Sequence, residues 1–341
     1  RRKGFERIHE SHFFLAPSTA NQHASPLMPV LIVGSIALDD IKTPLAEHLN
    51  LLGGSASYGA VSASNFCPVL LVGIVGEDFP KEHIELLKSR QIDLDGLQIV
   101  PGKTFRWSGE YMWDMNTRET RSVELNVFEH FTPVLPESYR SPSIVLLANI
   151  APDLQHHVLD QVASPRFVIA DTMDLWINIA KDSLIRLLSR VNMLILNDGE
   201  ARQLTGETSL IKAGRAIQAL GPQYVAIKKG EHGAIVLDET SVFAFPAFPL
   251  EHIQDPTGAG DTFMGGFAGY LTRHTTFTSD SIRRAIMYGS ALASFTVERF
   301  GPERLLHLRP EEINERMAAY RRITHLPDVQ PLTWTNGSYH G

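Results

Sequence analysis

The chain has 341 residues, 43% hydrophobic and 20% charged, with 31 Lys and Arg against 38 Asp and Glu and a formal net charge of −7. That balance supports a sizeable buried core in one large α/β domain or two smaller ones, and it excludes the broad basic surface that nucleic acid demands. A single cysteine, Cys67, excludes an internal disulfide framework. No apolar run approaches the ~20 residues of a membrane helix, so no membrane partner is expected and the expected location is the cytoplasm.

Residues 1–27 are polar and dotted with histidine, and their one apolar run, FFLA, is too short for a signal peptide. They read as a flexible leader to a domain that begins at Met28 and runs to about residue 325. Short apolar runs then punctuate the chain: VLIVGS (30–35), PVLLVGIVG (68–76), SIVLLAN (143–149), RFVIAD (166–171), VNMLILN (191–197) and QYVAIKKG (223–230). Between most of them, segments such as EHIELLKSR and KDSLIRLLSR space apolar residues three and four apart. Buried strands alternating with amphipathic helices predict an α/β fold with a doubly wound, mostly parallel sheet flanked by helices. Ligands in such folds bind beyond the carboxyl ends of the strands. Asp39 and Asp40 follow shortly after the first strand, and Asn197 closes the fifth.

One region breaks the alternation. In FRWSGEYMWDMNTRETRSVELNVF, Phe105, Trp107, Gly109, Tyr111 and Trp113 share one parity, and Val123, Leu125 and Val127 do so after the turn-rich DMNTR. Period-two patterning on both sides of a turn predicts an antiparallel ribbon, inserted at about 103–130 as a small antiparallel β lid. It reads equally as a clasp that pairs two copies of the chain and as a cover over a substrate. Residues 326–341 read as a flexible tail.

The stretch HIQDPTGAGDTFMGGFAGYL (252–271) places Gly258, Ala259, Gly260 and Asp261 at the mouth of a helix that should begin near Gly260 or Asp261. The first amides of a helix have no intrahelical partner and carry partial positive charge. Glycines let several of them converge on one anion. The plainer reading is a tight turn with Asp261 as a helix-start carboxylate. Asn197-x-x-Glu200 in NDGEARQL has a similar plain reading, a reciprocal helix cap. GAGDTF is not a dinucleotide fingerprint, because Phe263 stands where a third small residue belongs, and no GxxxxGK[ST] phosphate loop occurs. The fourteen histidines show no metal-ligand spacing.

The longer string DPTGAGDTFMGGF resembles the carboxy-terminal signature D-x-x-G-A-G-D-x-F of the ribokinase/PfkB family of small-molecule kinases, and the resemblance extends from Met28 to about His325. It implies a ribokinase-like fold and transfer of the ATP γ-phosphoryl group to an alcohol hydroxyl of a small sugar or polyol. Asp261 would be the catalytic base, with Gly258, Ala259 and Gly260 forming an anion hole. VGSIALD resembles the family's first strand, whose aspartate, here Asp39, holds substrate hydroxyls. GGSASYGAVSASNF resembles the amino-terminal signature, with Gly53 and Gly54 as its di-glycine, but Tyr58 stands where sugar kinases commonly carry an asparagine that contacts substrate. The resemblance places Asn197 and Glu200 near the nucleotide phosphates and Mg2+, the latter held through water. Lys228 or Lys229 would reach a phosphate, Gly230 and Gly233 would turn the chain beside the nucleotide, and Asp255 and Thr257 would bind a monovalent cation, K+. A nucleoside kinase on the same fold is the alternative, because Tyr58, Trp107, Tyr111 and Trp113 could stack a base. A non-catalytic ligand-sensing relative is a second alternative, against which the intact GAGD and NxxE elements speak. A helix N-terminus should depress the pKa of Asp261, an effect that neighbouring phosphate opposes.

Overall fold

A computed structural model describes residues 28–325 and Pro327. The leader expected at 1–27 and, Pro327 apart, the tail expected at 326–341 lie outside the described residues. The strands are β1 (Val30–Val33), β2 (Ala37–Lys42), β3 (Glu47–Gly53), β4 (Val69–Gly76), β5 (Ile92–Val100), β6 (Phe105–Tyr111), β7 (Arg118–Glu124), β8 (Ile144–Leu147), β9 (Phe167–Asp171), β10 (Met193–Asn197), β11 (Tyr224–Lys228), β12 (Ala234–Leu237) and β13 (Val242–Phe245). Nine of them form one sheet in the order β13-β12-β11-β10-β9-β8-β1-β4-β5. Every pairing from β5 to β11 is parallel, and β12 and β13 close one edge antiparallel.

The central strand shows why the sheet must be covered on both faces. In VLIV, Val30 and Ile32 enter one apolar core while Leu31 and Val33 enter the other, and all four are fully buried. A strand apolar at every position suits a parallel sheet packed between two helical layers. The helices Ser55–Ala63, Ala259–Leu271 and Ser279–Thr296 cover one face; Pro152–Gln161, Lys181–Leu188 and Leu210–Gln218 cover the other. From β1 the chain moves out through β4 to β5, then returns to β8 and proceeds the other way. The reversal lies between β1 and β8, and the crevice beyond their carboxyl ends is the place where such sheets bind ligands.

The lid is larger than the two-stranded ribbon expected. It is a four-stranded sheet in the order β3-β2-β6-β7, two antiparallel hairpins joined by a parallel β2–β6 pair. Asp39 therefore sits within β2 of the lid, opposite Trp107 on β6, and not at the end of the first core strand. The aromatic parity also stops earlier than the pattern suggested. The strand ends at Tyr111, Trp113 lies in the following turn at 88% exposure, and Val127 belongs to a short 3-10 segment. Phe300 anchors the lid to the body by packing with Ile41, Leu51, Trp107 and Tyr111. At the far tip, Asn116 Nδ2 donates to Glu231 Oε1 at 3.1 Å. Among the described residues, no helix is long and apolar enough to cross a membrane.

Candidate active site

The glycine-rich turn opens a helix one residue earlier than its apolar spacing implied, at Ala259, with Gly258 as N-cap at φ 73°. That left-handed conformation suits glycine, and the space forbids anything larger: a Cβ there would stand 2.4 Å from Cδ1 and Cε1 of Tyr58. Tyr58 reaches this point because the helices Ser55–Ala63 and Ala259–Leu271 pack backbone against backbone. A Cβ on Gly265 would lie 2.1 Å from the Gly59 carbonyl oxygen. The Ala259 amide donates to the Pro256 carbonyl, and Thr262 donates to Gly258. The amides of Gly260 and Asp261 fall in the first turn, where a helix supplies no acceptor.

The di-glycine and Asp39 are fitted to each other. A Cβ on Gly53 would stand 2.1 Å from the Asp39 carboxyl carbon, and Gly54 turns the chain at φ 89° into the helix that carries Tyr58. Asp39 is buried, and burial raises its pKa well above the usual carboxylate range; Asp255 and Asp261 add to the rise and the Gly54 amide partly offsets it. Tyr58 is 1% exposed and its hydroxyl has no hydrogen-bond partner among the described residues. Burial, then Asp255 and Asp39, hold that hydroxyl in its neutral, proton-donating form. Trp107 is half-buried in register with Asp39, with the Arg118 guanidinium 5.3 Å from the centre of its ring.

The opposite side of the crevice gathers the ends of β9, β10 and β11. Asn197 pairs with Lys228 and Ile195 with Asp171. The reciprocal cap is present: Asn197 Oδ1 accepts the Glu200 amide at 2.8 Å, and Glu200 Oε2 accepts the Asn197 amide at 2.7 Å. Replacing Asn197 by Ala is expected to cost about 1 kcal/mol in urea unfolding, and a change under about 0.3 kcal/mol would show that the cap is dispensable. Gly230 and Gly233 shape the β11–β12 turn at φ 55° and 85°, and the Lys229 amide donates to the Gly233 carbonyl at 2.7 Å. Lys228, not Lys229, points into the site: a Cβ on Gly260 would meet its Nζ at 2.9 Å.

Asp255 is fully buried. Its Oδ1 accepts the Thr257 amide at 2.8 Å, and its Oδ2 accepts the Gly301 amide at 3.0 Å. Thr257 Oγ1 also meets the Tyr111 hydroxyl of the lid at 3.3 Å. Asp261 has a raised pKa, against the depression expected from the helix N-terminus. Burial dominates, and Lys228 and Arg118 only partly oppose it. Asp39, Tyr58, Asp261, the glycine turn and Lys228 thus lie close together, with Glu200 beside Lys228.

A pfkB family carbohydrate kinase model matches residues 134–307. The chain is 33% identical over 252 residues to the cytidine kinase of Thermococcus kodakarensis, covering 72% of this chain and 89% of that one. It belongs to the pfkB family of carbohydrate kinases. The nucleoside kinase of Methanothermobacter thermautotrophicus is 26% identical over 293 residues, with 80% and 91% covered. The structure of Arabidopsis thaliana ribokinase complexed with ribose and ATP superposes with a TM-score of 0.69 at 21% identity, covering 85% of this chain and 98% of that one. The fold is ribokinase-like, and the protein is a kinase.

Two residues of this pfkB-family kinase escaped the sequence reading. Asp171, the last residue of β9, is 5% exposed and lies 3.8 Å from Lys228 Nζ through its Oδ1. The string RFVIAD shows it only as a polar strand end. Arg118 opens β7 and bears electrostatically on both Asp261 and Tyr111. Nothing local to Arg118 signals this, because the approach depends on the lid folding over the body.

Proposed function

We propose that this kinase transfers the γ-phosphoryl group of ATP to a hydroxyl of a nucleoside. The observation that carries the reaction is the convergence of a carboxylate, a glycine-turn helix mouth and a half-buried ammonium at Asp261, Gly258–Gly260 and Lys228. Phosphoryl transfer passes through a loose, highly charged transition state, so positioning and electrostatics dominate its catalysis. In this reading Asp261 accepts the hydroxyl proton, and its raised pKa makes it a better base than an exposed aspartate. The amides of Gly260 and Asp261 at the glycine turn face the equatorial oxygens. Asp39, Gly53 and Gly54 hold the acceptor's hydroxyls, the Tyr58 hydroxyl supplies a donor beside them, and Trp107 lies against the acceptor from the lid. Asn197, Gly230 and Gly233 frame the nucleotide.

The donor set fits Mg2+ bound mainly through water and phosphate. Glu200 keeps one carboxylate oxygen outside its cap. Mg2+ tolerates few protein ligands and retains waters, in keeping with the absence, among the described residues, of a cluster of three metal-ligating side chains. When bound, the metal neutralises phosphate charge. Asp255 has no ion-pair partner among the described residues, and K+ beside Asp255 and Thr257 would balance its charge. We also infer a cytoplasmic enzyme that pairs through its lids, where Leu45, Leu49 and Val123 are more than half exposed.

Two of the relatives matched along most of their length, a cytidine kinase at 33% identity and a nucleoside kinase at 26%, support the nucleoside acceptor, and a ribokinase matched over 92% of its length at 24% identity makes free ribose the main competitor to test. The test is ADP release with ATP and Mg2+ across cytidine, uridine, adenosine, ribose, fructose and polyols. Nucleosides are expected to give the highest kcat/KM. Preference for free ribose or fructose would replace the nucleoside reading with a sugar kinase, and no stimulation by any acceptor would overturn the proposed reaction.

A further inference from the structure

Lys228 arrives at the glycine turn from the end of a buried strand, and its side chain is only 20% exposed. Its Nζ stands against Gly260, on the spot where the helix mouth would meet an anion. Among the described residues, the one carboxylate within ion-pair distance is Asp171, on the neighbouring side of the crevice. The separation of 3.8 Å is too long for a hydrogen bond. The pair is therefore held by charge alone, and no hydrogen bond within the described residues engages the ammonium. Asp171 Oδ1 is itself buried and without a hydrogen-bond partner among the described residues. Glu200 and Asp261 also attract the ammonium. Without Asp171 the ammonium would be left to the pull of Glu200 and then Asp261, away from its place over the turn.

We propose that Asp171 holds the Lys228 ammonium over the Gly258–Ala259–Gly260 turn, where Lys228 binds the phosphoryl group in transit, so that the pair acts as one catalytic unit and adds little to ATP affinity. This rests on the kinase reading above. In the step concerned, the acceptor oxygen bonds to the γ-phosphorus, the bridge to ADP breaks with its electron pair leaving on ADP, and the hydroxyl proton passes to Asp261. Charge on the equatorial oxygens stays beside the turn throughout, and an ammonium fixed there by a buried strand needs no reorganisation to meet it. Lys228 is the catalytic residue of the pair and Asp171 the positioning residue.

The test is a double-mutant cycle of Lys228→Met and Asp171→Asn, with kcat, KM for ATP and the Mg2+ concentration for half-maximal rate measured on each protein. Lys228→Met is expected to lower kcat about 10²–10³-fold, the range for losing one donor at an anion hole, with KM for ATP changed less than about threefold. Asp171→Asn is expected to lower kcat about tenfold or more alone and to add nothing in the Lys228→Met background, because residues acting as a unit are non-additive. A raised KM for ATP at unchanged kcat would assign Lys228 to ground-state nucleotide binding and overturn the proposal. An Asp171→Asn loss that persists undiminished in the Lys228→Met background, or that is reversed by added Mg2+, would place Asp171 on the metal instead. Should Lys228→Met fail to fold by circular dichroism, Lys228→Gln provides the same cycle. Wild-type turnover in the same assay separates the two questions, since its absence would overturn the kinase reading itself.

Discussion

Asp261→Asn is expected to lower kcat about 10²–10⁴-fold, the usual cost of losing a general base. Asparagine keeps the size and hydrogen-bonding capacity of the side chain and removes only its proton affinity. Burial raises the pKa of Asp261, with Lys228 and Arg118 opposing. A base must be deprotonated to act, so wild-type kcat should fall as pH falls through that raised pKa. The acceptor is kept saturating, so that Asp39, also raised by burial, is engaged throughout. The substituted enzyme's residual rate should lack this acid limb. Initial rates of ADP release across pH decide the matter: a rate near wild type, or an acid limb that survives the substitution, would remove Asp261 from the role of base.

Gly258→Ala should be nearly as damaging, by a steric route. The residue sits at φ 73°, and the added methyl would lie 2.4 Å from the Tyr58 ring. A left-handed non-glycine residue and an overpacked contact each cost about 1–3 kcal/mol. Shifting the turn withdraws the amides of Gly260 and Asp261 from their aim, and loss of an anion-hole donor typically lowers kcat about 10²–10³-fold. Combining it with Tyr58→Leu should recover part of the melting temperature and little of the rate, because the ring clash is relieved and the backbone strain remains. Wild-type kcat in Gly258→Ala would show that the turn's geometry is irrelevant to catalysis.

The parallel sheet was legible because its strands are apolar at every position and lie between helices of clear period; β1, with residues alternating between two cores, is the clearest case. The glycine turn was legible for a related reason, since small residues before an apolar helical run have few other uses. The lid was only half legible. The β6–β7 ribbon announces itself by alternation around a local turn, but β2 joins it through a parallel pairing with residues more than sixty positions later, and no local pattern encodes such a partner. Asp39 was singled out for that reason without its strand. Asp171 and Arg118 stayed hidden because their significance is a distance: one meets Lys228 across the intervening strand β10, the other crosses from lid to body. The NxxE string was ambiguous in sequence and is less so in space. Asn197 and Glu200 form the cap, and Glu200 lies close enough to Lys228 to attract it, so the cap leaves room for the metal role proposed above.

The lid rests on the body at both ends, on Phe300 near Asp39 and, through Asn116, on Glu231 in the β11–β12 turn. A cover supported on both banks has no separate door for each compartment. If both ligands lie beneath it, as proposed, departure of the spent nucleotide and of the phosphorylated product would be governed by a single gate, and their residence times would rise and fall together. The rate of that gate would then depend on contacts such as Asn116–Glu231, outside the group of side chains around Asp261. Throughput could be tuned at the rim of the enzyme while the chemistry at its centre stays the same.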